Sequence, residues 1–200
     1  MFSAASLMLL IVGGGLGLIV FIAWSSYNRL VTLRNRYKNA YSQVDVQLQR
    51  RYDLIPNLVE TAKGYMQHER ETLQAVIEAR NSAMSASRRA AANPGNANAI
   101  QQAAAAEAGL TGMLDRLLVV TENYPTLKAD TTMLALMEEL RATENKISFA
   151  RQSFNDSVTL YNTKREVFPS NIIADAFNFS AAELWKELNP EARQAPQVSF

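Results

Sequence analysis

The chain has 200 residues, of which 48% are hydrophobic, with no cysteine, one histidine and a net charge of +1. The lack of cysteine excludes disulfides, thiolate metal sites, cysteine nucleophiles and an acylated-cysteine anchor. The charge is uneven: residues 1–92 carry 11 Lys/Arg and 6 Asp/Glu, whereas residues 93–200 carry 9 and 13.

The first predicted element is a membrane-spanning helix. Residues 1–28 contain no charged side chain, and the apolar run from Leu7 to Trp24 has the minimum length for crossing a bilayer. Six cations and one anion follow in residues 29–52, which predicts that the body of the chain is cytoplasmic. A cleaved signal peptide is the alternative. Ala23-Trp24-Ser25 fits a cleavage site, but no Lys or Arg precedes the apolar run.

Small and aromatic residues within and after this run predict how the helix sits in the membrane. Gly13 and Gly17 share one helix face and would let a second helix approach closely, although glycine is also simply common in membrane helices. Trp24, Tyr27 and Arg29 are predicted to anchor the helix at the membrane interface.

The next stretch, Leu30 to Ser87, has apolar residues at seven-residue intervals and is predicted to be one helix, bent at Pro56 and continuing through Arg80. Its two predicted buried rows are Leu30, Tyr37, Val44, Leu58, Tyr65 and Tyr41, Leu48, Ile55, Ala62. Arg51 falls where the first row would place another apolar residue. A single polar residue on such a row usually sets register or partner choice.

The sequence Asn93-Pro94-Gly95-Asn96 predicts a break. A helix follows, thinly packed over the Ala-rich residues 97–108 and ending at Asn123-Tyr124-Pro125. Asp130 is then the predicted N-cap of a long helix that Pro169 stops. Strict seven-residue intervals in that helix predict a buried row of Met133, Leu140, Ile147, Phe154, Tyr161 and Phe168.

Beyond Pro169 the sequence is apolar and then polar. Ser180-Ala-Ala-Glu183 has the pattern of a capping box and predicts a last short helix. Phe177, Phe179 and Trp185 are predicted to dock a partner, because this apolar segment is too short to form a core. The predicted fold is all-α: an N-terminal transmembrane helix that continues into an elongated antiparallel bundle of long helices, with a short C-terminal helix. Its divisions are residues 1–6, a short N-terminal segment; 7–26, the transmembrane helix; 27–169, the bundle; 170–189, the apolar segment and short helix; and 190–200, a flexible tail.

No pattern of residues predicts catalysis, a cofactor site or a metal site. His68-Glu69 begins like a zinc-protease motif, but Thr72 stands where the second histidine is required. Five polar residues are predicted to form an inter-helix network: Asp45, Arg51, Asn57, Glu144 and Asn155. This network either binds a ligand or fixes helix register, and an Arg51–Glu144 pair is the expected contact.

Three segments carry a family resemblance: Tyr27-Asn-Arg-Leu-Val in the stem, Arg51-Tyr-Asp-Leu-Ile-Pro-Asn-Leu-Val-Glu60, and Glu122-Asn-Tyr-Pro125. Together with Thr143-Glu-Asn-Lys-Ile147 and Phe154-Asn-Asp156, they resemble the LemA family of bacterial membrane-anchored proteins over residues 27–179. Tyr37 and Tyr41 depart from the Val and Trp expected there. The resemblance implies a short extracytoplasmic N-terminus, one span and a cytoplasmic antiparallel bundle, and the family has no established catalytic activity.

The predicted function is a non-enzymatic, self-associating scaffold or organiser in the inner membrane. An adaptor or regulator of another membrane protein, such as a protease, and a membrane-surface-binding or remodelling protein are the alternatives. The expected partners are the lipid bilayer, further copies of the chain and another membrane protein. Nucleic acid is not expected, because the basic residues are spread among Leu and Tyr rather than grouped in a known motif.

Overall fold

The computed structural model of the protein describes residues 4–186, and every regular element within that range is a helix. The helices in chain order are α1 (Ala4–Lys63), α2 (Arg70–Ala92), α3 (Ala97–Thr121), α4 (Pro125–Lys128), α5 (Thr131–Glu166) and α6 (Ser170–Ala176). The all-α prediction is confirmed. Residues 1–3 of the N-terminal segment and the whole of the tail 190–200 lie outside the described residues.

Helix α1 combines the apolar run and the first bundle helix in one element of 60 residues, about 90 Å long. No joint separates Trp24 from Leu48, as the lack of a breaker predicts. By its length and composition, α1 could cross a membrane. Of its most apolar stretch of 18 residues, only 6% is buried. From Leu30 onward one face of α1 is buried against the rest of the chain.

The prediction that this helix continues through Arg80 is wrong. The chain turns over residues 64–69, where the N–H groups of Tyr65 and Met66 both bond the carbonyl of Ala62. Helix α2 then runs back along α1, and Arg80 Nε donates to the carbonyl of Tyr52 at 3.0 Å. Met66 in the turn is buried, so the helical spacing of apolar residues continues through the turn and gives no sign of it in the sequence. Tyr65, which was predicted to be buried, is exposed.

Helix α3 runs antiparallel to α2 after the predicted break, and the Asn96 side chain caps it by accepting from Ala99 N–H at 2.9 Å. The Ala-rich part is packed rather than thinly packed, with Ala103 and Ala104 buried. Helix α2 also buries alanines, which are Ala83, Ala86 and Ala90. Small residues on both faces allow these two helices to lie close together.

Helix α5 lies antiparallel to the part of α1 that follows the apolar run. Asp130 caps it as predicted, accepting from Met133 N–H at 2.9 Å. Most of the predicted row is buried, namely Met133, Ile147, Phe154 and Tyr161. Leu140 is half-buried, and Phe168, which follows the end of the helix, is 78% exposed.

The C-terminal helix is α6, at Ser170–Ala176, and not a helix beginning at Ser180. Residues 179–186 contain no helix. We refer to residues 178–186 as the C-terminal segment. It does not become helical because side chains of α5 bond the backbone groups that a helix would use, as described below.

Candidate functional site

Arg51 lies at the centre of a buried ion cluster that joins three helices. Its side chain extends from α1 and is almost fully buried, at 4% exposure. One terminal nitrogen lies 3.3 Å from a carboxylate oxygen of Glu107 on α3 and 2.9 Å from one of Glu144 on α5. The other donates to the Thr111 hydroxyl at 2.9 Å. The Arg51–Glu144 pair named from the sequence is therefore present.

Glu107 is the most enclosed member of this cluster. Its side chain is 2% exposed, and it accepts a hydrogen bond from the Tyr52 hydroxyl. Arg151 of α5 lies 3.7 Å from the same carboxylate oxygen that Arg51 contacts. Burial raises the pKa of Glu107 above its usual value, and the Tyr52 hydrogen bond and the two arginines oppose that rise.

Sequence reasoning missed Glu107, although a usable pattern was present. Glu107 lies on the buried face of α3, between Ala103 and Leu110 at helical spacing. A charged residue on an apolar face is what drew attention to Arg51. Glu107 is harder to recognise because its neighbours are alanines, which occur on buried and exposed helix faces alike.

The cluster contains two arginines and two carboxylates, Glu107 and Glu144, so its formal charge is balanced. Each of the four charged groups has an opposite charge within 4 Å, which is the arrangement of an ion-pair cluster. These pairs fix register, since sliding either partner helix by one turn, about 5.4 Å, would break every contact. This chemistry is that of an inter-helix lock.

A cavity of about 180 Å³ lies beside the lock, between α1, α3 and α5. Its walls combine Leu58, Leu114 and Leu140 with the charged heads of Arg51 and Glu144. This volume is below the range of about 300–1,000 Å³ that holds typical small-molecule ligands. Within residues 4–186, no group of three or more His, Cys, Asp or Glu side chains is placed to hold a metal ion.

Three of the five residues predicted for one network lie elsewhere. Asp45 accepts from the Ser87 hydroxyl at 3.3 Å and so joins α1 to α2. Asn57 is exposed on α1. The side chain of Asn155 bonds the C-terminal segment and not the ion cluster. The prediction of a single network is wrong for these residues, because the turn of each helix directs them to different neighbours.

Two asparagines of α5 clamp the C-terminal segment. Asn155 donates to the carbonyl of Trp185 at 3.0 Å and accepts from its N–H at 2.8 Å. Asn162 does the same for Ala182, at 2.8 and 3.0 Å. Seven helical residues span about 10.5 Å, and three extended residues span about 10 Å. The two asparagines are therefore spaced to bond every third residue of an extended chain.

The clamp places apolar side chains of the C-terminal segment on the bundle. Trp185 is 4% exposed, with the Arg151 guanidinium 4.7 Å from its ring centre. Phe179 is also buried, beneath the Arg34 guanidinium at 5.0 Å. The prediction that these two residues dock a partner is wrong, since their own chain covers them. Phe177 remains 59% exposed.

In the N-terminal half of α1, the predicted packing and anchor residues differ in their surroundings. A Cβ atom built on Gly13 or Gly17 would meet no other atom within 4 Å. Trp24 and Arg29 are exposed. Tyr27 is half-buried, with its ring centre 5.0 Å from that of Phe177 and 5.6 Å from that of Phe179.

The chain is similar to known proteins over most of its length. A model of the LemA family matches residues 40–200. Magnetosome proteins MamQ 1 and MamQ 2 of Paramagnetospirillum magneticum are 25% identical over 189 residues, which cover 86% of this chain and 70% of each relative. Magnetosome protein MamQ of Magnetospirillum gryphiswaldense aligns with the same identity and coverage.

These similarities agree with the helical fold and the apolar helix α1. The family and the relatives identify a membrane-associated helical protein, and they are not known enzymes. The match covers the buried lock, the asparagine clamp and α6. The chain belongs to the LemA family.

Proposed function

We propose that the chain is a non-enzymatic, single-pass inner-membrane protein whose cytoplasmic bundle is a self-associating scaffold or organiser. The observation that carries this proposal is the continuity of α1. The same helix of 60 residues holds the apolar span and one side of the bundle. Contacts between spans within the membrane would then fix the spacing and orientation of the bundles outside it.

The span has room for such contacts. Its side chains are exposed along residues 11–22, and its glycines have open space beside them. Glycines four residues apart allow two helix backbones to approach closely in a bilayer. The Gly13 and Gly17 face is therefore the proposed contact between copies in the membrane.

A second surface supports self-association outside the membrane. Val46 on α1 and Phe149 on α5 are exposed, the phenylalanine at 74%. They lie at the same height along the bundle, because the Arg51–Glu144 and Tyr41–Phe154 contacts bracket them. These exposed apolar side chains at one height of the α1–α5 pair offer area that a second copy can cover.

Mass measurement of the intact protein in nanodiscs or mild detergent tests the proposal. We expect an oligomer that Gly13→Ile/Gly17→Ile weakens and that Gly15→Ile, on another face, leaves intact. Phe149→Lys should weaken it further, while Val119→Lys, an equally exposed apolar site on α3, should not. A strictly monomeric wild-type protein would refute self-association, and equal effects of test and control variants would refute the proposed contact surfaces.

Orientation is tested separately, using the absence of cysteine from the chain. Single cysteines at Ser3 and at the exposed Ser148 are treated with a membrane-impermeant thiol reagent in intact cells. Labelling only at position 3 supports a cytoplasmic bundle. Labelling only at position 148 would place the bundle outside and contradict the charge argument.

A further inference from the structure

Four large apolar residues are exposed where the chain passes from α5 into and beyond α6. They are Val167 at 42%, Phe168 at 78%, Ile172 at 58% and Phe177 at 59% exposure. We call these four residues the α6 patch. Ile172 lies on the outer face of α6, whereas Ser170 and Ala174 of that helix are buried.

The α6 patch lies at the end of the bundle nearest the apolar span. The Tyr161 ring lies 5.1 Å from that of Tyr37, and α5 continues for five more residues to Glu166, about 7.5 Å nearer the apolar span, before Phe168 follows. Phe177 then contacts Tyr27, which is only three residues beyond Trp24. Helix α6 therefore closes the bundle at the height where α1 leaves the membrane.

We propose that the α6 patch is a second membrane contact, which inserts into the interface of the same bilayer that α1 crosses. The headgroup region adds about 5–7 Å to each side of a hydrocarbon core of about 30 Å. The three residues from Trp24 to Tyr27 rise about 4.5 Å, so Phe177, which packs on Tyr27, lies within headgroup depth.

The charges beside the patch set the depth of insertion. Lys164, Arg165, Glu166 and Asp175 flank it, and Arg29 is exposed on α1 at the same end. These groups need water or headgroups, so the patch inserts at the interface and not into the hydrocarbon core. Aromatic and aliphatic side chains with charged neighbours are typical of such interfacial segments.

Two attachment points change what the bundle can do. With α1 alone, the bundle could rotate and tilt about a single helix. With the α6 patch also in the interface, rotation about α1 would pull four apolar side chains into water. The inference depends on the span of α1 but not on self-association, so each can fail without the other.

The test is collision accessibility of spin labels on the full-length protein in nanodiscs of phosphatidylcholine and phosphatidylglycerol. Single cysteines are introduced by Ile172→Cys and, as the control, by Val119→Cys on membrane-distal α3, which is 66% exposed. At position 172 we expect oxygen to reach the label severalfold more than a water-soluble nickel chelate does. At position 119 the order should be reversed.

Two results would overturn the proposal. Equal behaviour at positions 172 and 119 would place the patch in water. Protection of position 172 from both reagents would show that protein covers it, either a partner or a second copy. As a further check, Phe168→Glu should move a label at Phe177→Cys towards water, while Val119→Glu should leave it unchanged. If the single label at position 172 reports lipid, a misfolded Phe168→Glu variant does not weaken the inference.

Discussion

Replacing Arg51 with methionine leaves the Glu107 carboxylate buried with one cation fewer. Glu107 is 2% exposed and cannot recover the lost contact from water. It keeps the Tyr52 hydroxyl and Arg151, the latter at 3.7 Å. The variant therefore tests whether the bundle is stabilised by the buried arginines that neutralise the buried Glu107 carboxylate.

The expected cost follows from the burial of the pair. Removing one partner of a buried ion pair costs about 3–5 kcal/mol. Because Arg151 still compensates Glu107, we expect the lower end, about 3 kcal/mol, with little added by the part-exposed Glu144. For a bundle of this size, each kcal/mol lowers Tm by about 2–4 °C, so Tm should fall by about 6–12 °C.

The matched control is the neighbouring residue, Arg50. It pairs with Glu139 across the same two helices, but both side chains are exposed, at 52% and 38%. An exposed pair contributes about 0–1 kcal/mol, so Arg50→Met should lower Tm by only a few degrees. Thermal unfolding followed by circular dichroism, on the full chain in one detergent, gives both values.

The double variant Arg51→Met/Glu107→Leu separates charge compensation from packing. Replacing a whole buried pair with apolar residues is often neutral, so the double variant should be more stable than Arg51→Met alone. Arg151 keeps its contact with the Trp185 ring in that variant. Additive losses, or equal losses for Arg50→Met and Arg51→Met, would refute the reasoning.

Three further variants test local features. Asn155→Ala removes two hydrogen bonds to the C-terminal segment, about 1–3 kcal/mol in total, so limited proteolysis there should quicken about 5- to 150-fold. Gly95→Ala would place a Cβ atom 2.7 Å from the Tyr37 hydroxyl and should cost about 1–3 kcal/mol in urea unfolding, unlike Gly112→Ala, which meets open space. The N-cap bond lowers the pKa of Asp130 below its ordinary value, so its stabilising contribution is present above that ordinary value and is lost as the pH falls through the folded-state pKa. The Tm difference between wild type and Asp130→Ala should therefore be constant above about pH 5 and narrow below it.

The sequence predicted those parts of the fold that local chemistry determines. Asp130 and Pro169 mark the two ends of the long helix by capping and by ring geometry, which depend on adjacent residues only. The uninterrupted helix from the apolar run into the bundle followed from the lack of any breaker. Arg51 was identified because a charge interrupts a regular apolar row.

Contacts between distant residues could not be predicted in this way. Met66 continues the apolar spacing across a chain reversal, so periodicity alone reads the turn as helix. The capping-box pattern at Ser180 is locally sound, but hydrogen bonds from Asn155 and Asn162 hold that segment out of a helix. In both cases tertiary contacts override the local preference, and only the packed structure shows them.

The clamp also changes how a truncation should be interpreted. Helices α2 and α3 cover the part of the α1–α5 pair farther from the apolar run, whereas α6 and the C-terminal segment cover the part nearer to it. Deleting residues 170–200 would expose Tyr41 and Phe154, which are now buried beside Trp185. If a protein that co-purifies with the full chain were lost after that deletion, the cause could be a damaged bundle and not a lost docking site.

A sharper test of an adaptor role changes Phe177 alone. Its side chain is 59% exposed, unlike the buried Phe179 and Trp185. Phe177→Ser leaves the asparagine clamp intact, because Asn155 and Asn162 bond the backbone of later residues. If a partner is lost with Phe177→Ser while Tm is unchanged, the surface at α6 binds protein. If the partner stays, its contact lies elsewhere on the chain than Phe177.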